Sequence, residues 1–130
     1  MSGSFQNFTV YKMADQLAMD IFKVSKSFPK EEVYSLSDQI RRSSRSVCAN
    51  IAEGYRKRMY PKHFYVKIST AARECSETLV WIDFAHDCGY IPKNKYHSWS
   101  QSCSEIGKML GNMAKYPENF LPKTNTQKDC

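Results

Sequence analysis

Apolar residues recur at three- and four-residue intervals along most of this chain, and the pattern falls into four blocks. In the first block, Val10, Ala14, Leu17, Ala18, Ile21, Val24 and Phe28 follow the spacing of one buried helical face. Thr9 stands where an N-cap belongs, and Pro29 stops the block, so a helix is predicted over residues 10–27. In the second, Ser35-x-x-Asp38 is a capping signal for a helix over residues 36–57. At about 100° per residue, Leu36, Ile40, Ser44, Val47, Ile51 and Gly54 fall close to one line. Arg41, Arg42, Arg45 and Arg56 lie on the opposite side, with Gln39 and Asn50 at the edge of the apolar stripe.

Pro61 suits the first turn of a third helix that reaches Asp87 and stops at Gly89. One stripe of this helix is Phe64, Ile68, Ala72, Cys75, Leu79 and Ile82; a second, roughly opposite, is Val66, Trp81, Phe84 and Cys88. A helix with apolar groups on two sides must be covered on two sides, and Trp and Phe are favoured at interfaces. Val66, Trp81 and Phe84 are therefore candidate contacts with another copy of the chain. The fourth block follows Pro92, with Tyr96, Trp99, Cys103, Ile106, Leu110 and Met113 as its stripe and Pro117 as its end. Gly107 and Gly111 in this helix are expected to allow a close approach while weakening it. Four amphipathic helices with short connections make an all-α, antiparallel up-down four-helix bundle over residues 10–116. Residues 1–9 and 117–130 are expected to be flexible ends.

Composition bounds this picture further. A chain of 130 residues with 42% hydrophobic residues supports one folded domain. No apolar run reaches the ~18–20 residues of a bilayer span. There is no signal-peptide pattern at the start, and five cysteines without a Cys-x-x-Cys pair suit reduced thiols in a cytoplasm. The net charge of +6 is unevenly spread: residues 41–73 hold nine Lys/Arg against one acid, Glu53, and the rest of the chain holds ten bases and twelve acids. The basicity is one patch on a nearly neutral body, which suits phosphate backbones or acidic partners.

The candidate chemistry points away from catalysis. Phosphate-cradling glycine loops and the Gly-x-Ser-x-Gly elbow are absent, and His63, His86 and His97 have no local nucleophile partner. A carboxylate-bridged di-metal site wants two Glu-x-x-His units, and the chain has only an approximate one, Asp83-x-x-His86, beside Glu74-x-x-Glu77. No enzyme activity, metal or cofactor is expected. Glu74 and Glu77 are read as partners for arginines of the second helix or of a neighbouring subunit, with Glu53 as a further structural polar group. Gln39 and Asn50 are read as hydrogen-bonding groups that fix helix register. Arg41, Arg42, Arg45, Arg56, Lys57, Arg58, Lys62 and Lys67 form the candidate nucleic-acid surface, since guanidinium forks match phosphate. Tyr55, Tyr60 and Tyr65 are interleaved with them and have two readings, as packing groups, the commoner role at such spacing, or as surfaces for stacking on unpaired bases.

Several segments carry a family resemblance. Gln39-x-x-Arg42, Ser46 and Asn50-Ile51-Ala52-Glu53-Gly54 resemble the signature of the four-helix-bundle family found in intervening sequences of bacterial large-subunit ribosomal RNA genes. Phe28-Pro29-Lys30-Glu31-Glu32-x-Tyr34-x-Leu36, Lys67-Ile68-x-x-Ala71-x-x-Glu74-x-x-Glu77-Thr78-x-x-Trp81-Ile82 and Gly89-Tyr90-Ile91 are similar to its first loop, third helix and following turn. Met59-Tyr60-Pro61 departs from it by lacking a Ser, Thr or Asp cap. The resemblance implies a ring-like homopentamer. It also implies kinship with basic accessory proteins of diversity-generating retroelements, which engage a reverse transcriptase and nucleic acid. The expected protein is a non-enzymatic homo-oligomeric bundle that binds RNA or DNA without sequence preference, as an adaptor in a ribonucleoprotein or reverse-transcriptase complex. The competing expectation is a protein–protein assembly module whose arginines pair within or between subunits.

Overall fold

The computed structural model describes residues 4–120, and within them the architecture is entirely helical. Four helices form: α1 (Thr9–Ser25), α2 (Leu36–Arg56), α3 (Pro61–Asp87) and α4 (Lys93–Lys115). Short 3-10 turns occupy Phe5–Asn7, Lys30–Glu32 and Pro117–Phe120. Consecutive helices pack side by side and α1 closes against α4, whereas the diagonal pairs make no close backbone contact. This is a four-helix bundle. The core is one cluster fed by every helix, with Ile21, Ile40, Ile51, Phe64, Ile68, Ile82, Trp99, Ile106 and Leu110 almost fully buried. Each contributes about 1.5–3 kcal/mol by leaving water, so this stripe, and not any surface pair, holds the bundle together.

The elements match the apolar periodicity, and the differences lie in the caps. Thr9 is the first residue of α1 and not its cap; Phe8 takes that place without a side-chain bond. Ser35 precedes α2, yet its hydroxyl does not reach back to the helix N–H groups. It donates instead to Glu32 Oε1 at 2.6 Å, and the Leu36 N–H reaches the same oxygen at 3.3 Å. The second carboxylate oxygen of Glu32 accepts from the Tyr90 hydroxyl at 2.7 Å, tying the α3–α4 turn to the α1–α2 loop. The bond from Ser35, then those from Tyr90 and the Leu36 N–H, hold the Glu32 carboxyl below its usual range. The same carboxylate pushes the Tyr90 phenol up to about 12. Gly89 ends α3 at φ 78°, as a C′ glycine should.

The seam between α2 and α3 is the tightest in the bundle. A Cβ on Gly54 would lie 2.9 Å from Ile68 Cδ1 and 3.3 Å from Lys67 Cβ, so only glycine fits without displacement. Further along the seam, buried Thr78 donates to Ser43 Oγ at 2.9 Å. Gly107 and Gly111 behave differently from expectation: a Cβ at either would meet nothing within 4 Å. They mark open surface on α4 and no close approach. At the ends, Phe8 packs edge-on to Tyr55 at 4.6 Å, and Phe120 stacks on Phe64 at 6.4 Å. Parts of both expected flexible ends thus fold back on the bundle, while residues 1–3 and 121–130 lie outside the described residues. Among the described residues no helix is long and apolar enough to cross a membrane.

Candidate nucleic-acid interface

All six arginines of the chain fall between Arg41 and Arg73. Folding keeps Arg42, Arg45, Arg56, Lys57, Lys62 and Arg73 exposed and leaves Arg41, Arg58 and Lys67 half-buried. The charged surface divides into two regions that periodicity alone did not separate.

The first region is the middle of α2, where it meets α1. Arg41 donates its Nε–H to the buried Ser25 hydroxyl oxygen at 2.8 Å. The guanidinium groups of Arg41 and Arg45 each lie 5.4 Å from the Phe22 ring centroid, and Lys26 Nζ lies 4.6 Å from it. One aromatic ring on α1 therefore gathers three cations, each contact attractive by about 0.5–1 kcal/mol at such exposure. Arg41 is largely a packing residue, whereas Arg42 and Arg45 are exposed. Phe22 was not singled out in the sequence because it sits off the apolar stripe of α1, and Ser25 because it is a small polar residue within that stripe.

The second region is the corner where α2 ends and α3 begins. Arg56 lies 4.9 Å from the Phe5 ring, which stiffens it against the N-terminal turn. Arg58 lies 3.6 Å over the Tyr55 ring and donates its Nε–H to the Tyr55 carbonyl at 2.8 Å. Lys57 Nζ is 6.0 Å from the Tyr60 ring, which meets His63 edge-on at the same separation. Tyr55 is buried, but Tyr60 is 58% and Tyr65 53% exposed. Tyr60 precedes α3 without any side-chain cap, in keeping with the missing Ser, Thr or Asp.

No acidic partner pairs with an arginine among the described residues. Among the described residues the ion pairs are Lys67–Glu53 at 3.4 Å, Lys95–Asp20 at 3.1 Å and His86–Asp87 at 3.6 Å, and none uses an arginine. The first of these engages Lys67, so that lysine is a weaker member of the basic surface than the sequence suggested. Both of its side chains are more than a third exposed, which limits the pair to ~0–1 kcal/mol. Glu77 accepts instead from the Trp81 indole N–H at 3.2 Å on its own helix. Asn50 likewise turns inward along α2, bonding the Ser46 carbonyl at 2.9 Å and the Ser46 hydroxyl at 3.1 Å, so it does not set the register against a second helix. Gln39 lines an open groove of about 370 Å³ with Tyr34, Leu36, Trp81, Phe84 and Cys88.

That groove lies on the second stripe of α3. Val66 and Phe84 are exposed, Trp81 is half-buried and packs at 6.1 Å on Phe84, and Val80 joins them on the exposed surface. No helix among the described residues covers this side. The approximate metal unit is otherwise occupied: Asp83 accepts from the Tyr96 hydroxyl at 2.9 Å, and His86 stacks on Tyr96 at 4.2 Å. No cluster of three metal-binding side chains is present among the described residues. The thiols of Cys48, Cys75, Cys88 and Cys103 are unpaired. Burial, with nearby Asp15, pushes the Cys48 thiol up to about 12, which makes it a poor nucleophile.

Comparison with known proteins agrees with this architecture. No curated protein matches the chain. A solved structure of a protein of unknown function from the S23 ribosomal protein family from Bacteroides thetaiotaomicron VPI-5482 superposes with a TM-score of 0.74 at 29% identity. The match covers 82% of this chain and 95% of that one. The profile of the 23S rRNA-intervening sequence protein family matches residues 6–112, a span that holds all four helices but the last turn of α4 together with both basic regions. The chain belongs to the 23S rRNA-intervening sequence protein family.

Proposed function

We propose that this protein is a non-enzymatic, self-associating bundle that binds RNA or DNA through the basic surface of α2 and the α2–α3 corner. The observation that carries this reading is the segregation of charge: nine bases against one acid in residues 41–73. Folding leaves six of the nine exposed and joins only Lys67 to a carboxylate. Intramolecular repulsion at such a surface is tolerated when a polyanion relieves it. Phe22 and Phe5 hold the exposed Arg45 and Arg56 in place, which lowers the entropy lost when they meet phosphate. Self-association rests on the uncovered Val66, Val80, Trp81 and Phe84 surface of α3, and a ring of copies would multiply the basic patch. The family's name ties its members to ribosomal RNA genes, which supports RNA as the nucleic acid and a ribonucleoprotein as the context.

Filter binding of a labelled RNA at ~50 and ~200 mM salt tests the reading, because counterion release demands a steep loss of affinity. The variant to use is Arg42→Glu with Lys62→Glu, since both side chains are exposed and Arg41 is tied to Ser25. Binding should fall at least ~30-fold, with melting temperature and oligomer mass unchanged. Salt-independent or absent binding overturns the nucleic-acid role. A collapse of oligomer mass favours the competing reading, in which the bases pair with acids of a neighbouring subunit.

A further inference from the structure

We infer that the α2–α3 corner is a site for unpaired nucleotides, with Tyr60 as the stacking surface for a base and Lys57, Arg58 and Lys62 as the cations that follow its phosphates. The inference rests on the nucleic-acid reading above and names the class of strand that reading leaves open. From Arg56 to Lys67 the chain contains no acid. Within this stretch Tyr60 is 58% exposed, which for an aromatic ring keeps a large apolar surface in water. Lys57 Nζ lies over the ring at 6.0 Å from its centroid and His63 meets it edge-on at 6.0 Å, contacts long enough to steady the ring and still leave more than half of the residue in water. Arg58 is held by the Tyr55 ring at 3.6 Å and by the Tyr55 carbonyl at 2.8 Å, leaving its outer N–H groups directed from a fixed base. Cations beside an open aromatic face are the arrangement that takes a strand by its backbone and one base by its π-face.

The shape of the corner favours unpaired over paired strands. A major groove of roughly 12 Å admits one helix. Gly54 brings α3 against α2 just before the corner, so this edge presents two helices side by side. Two helices about 8–10 Å apart are too wide to enter the groove. The bases of a duplex are also paired and stacked on one another, so a duplex meets the cations alone, whereas an unpaired base is free to stack on Tyr60. Tyr65 is exposed to a similar degree but makes none of these cation or ring contacts, which marks it as the control.

The test is fluorescence anisotropy of the full chain with three probes of about 12 nucleotides: oligouridylate, oligothymidylate and a DNA duplex. Tyr60→Leu should weaken both single strands roughly tenfold, leave the duplex within about twofold, and be rescued by Tyr60→Phe. Tyr65→Leu should change none of the three by more than about twofold. Loss of one single strand only would confine the site to RNA or to DNA and still support it. Equal loss on single strand and duplex, or no loss on either, overturns the stacking site while leaving the broader nucleic-acid reading intact. If the unaltered protein binds no probe, both fall. A change of oligomer mass in Tyr60→Leu also overturns the site, because it assigns the ring to contact between copies.

Discussion

The two seams that flank the bundle's long axis are built on opposite terms. Between α2 and α3 the backbones meet at Gly54, and the contact is sealed by Ile51, Ile68, Ile82 and the buried Ser43–Thr78 bond. Between α1 and α4 the approach is sparse, and an open groove of about 690 Å³ lies along it, lined by Asp15, Asp20, Lys23, Ser98, Ser102 and Glu105 among others. There the helices are joined by a polar clamp: Asp20 Oδ2 accepts from the Trp99 indole at 2.6 Å and from Lys95 at 3.1 Å. The tight seam fixes α2 and its corner, which carry most of the arginines, and the loose seam lies along two helices that carry none.

The largest effect should come from breaking the tight seam. Gly54→Leu forces a side chain into space already held by Ile68, and overpacking of this kind costs about 3 kcal/mol. A thermal melt should show a drop on the order of 10 °C. An unchanged midpoint would mean that the two helices can part here at no cost.

A smaller effect is expected from the polar clamp. Asp20→Asn should cost about 1 kcal/mol, discounted because the carboxylate is 38% exposed. Burial alone would raise the Asp20 carboxyl, but the bonds from Trp99 and Lys95, with the Lys95 and Lys23 charges, outweigh it and hold the group below 3.8. A depressed carboxyl contributes stability that is complete above the unfolded value and is lost as pH falls through the lower folded one. The gap between the two proteins in urea unfolding should therefore be constant from neutral pH down to ~4 and close below it. A gap that persists at lower pH would assign the cost to packing and not to charge.

The smallest effect is a gain. Gly111→Ala on α4 adds a methyl to open surface and removes a flexible residue from a helix interior, so it should stabilise by about 0.5–1 kcal/mol. Destabilisation accompanied by loss of oligomer mass would show that another copy covers this part of α4.

Much of this was legible in the chain. The third helix carries both stripes where the spacing of Phe64, Ile68, Cys75 and Ile82 against Val66, Trp81 and Phe84 puts them, and only the first stripe is covered. The basic surface was legible as a charge block, and Arg42, Arg45, Arg56, Lys57 and Lys62 do reach solvent. Its division was not, because Phe22 and Ser25 of α1 meet Arg41 only where α1 packs on α2, and periodicity within either helix does not record that contact. Nor were the caps: Glu32 takes over the role expected of Ser35 from outside the helix, and Tyr90 joins it from 58 residues away.

By itself, the sequence determined the four helices, their buried faces and the concentration of positive charge, because helical periodicity and charge are properties of neighbours along the chain. The tertiary structure alone decided which cations are held and which are free, that Gly54 is a close contact while Gly107 and Gly111 are open, and that Tyr60 is exposed where Tyr55 is buried. Those facts depend on which side chains of separate helices meet, and a linear pattern records the face a residue occupies without recording what faces it.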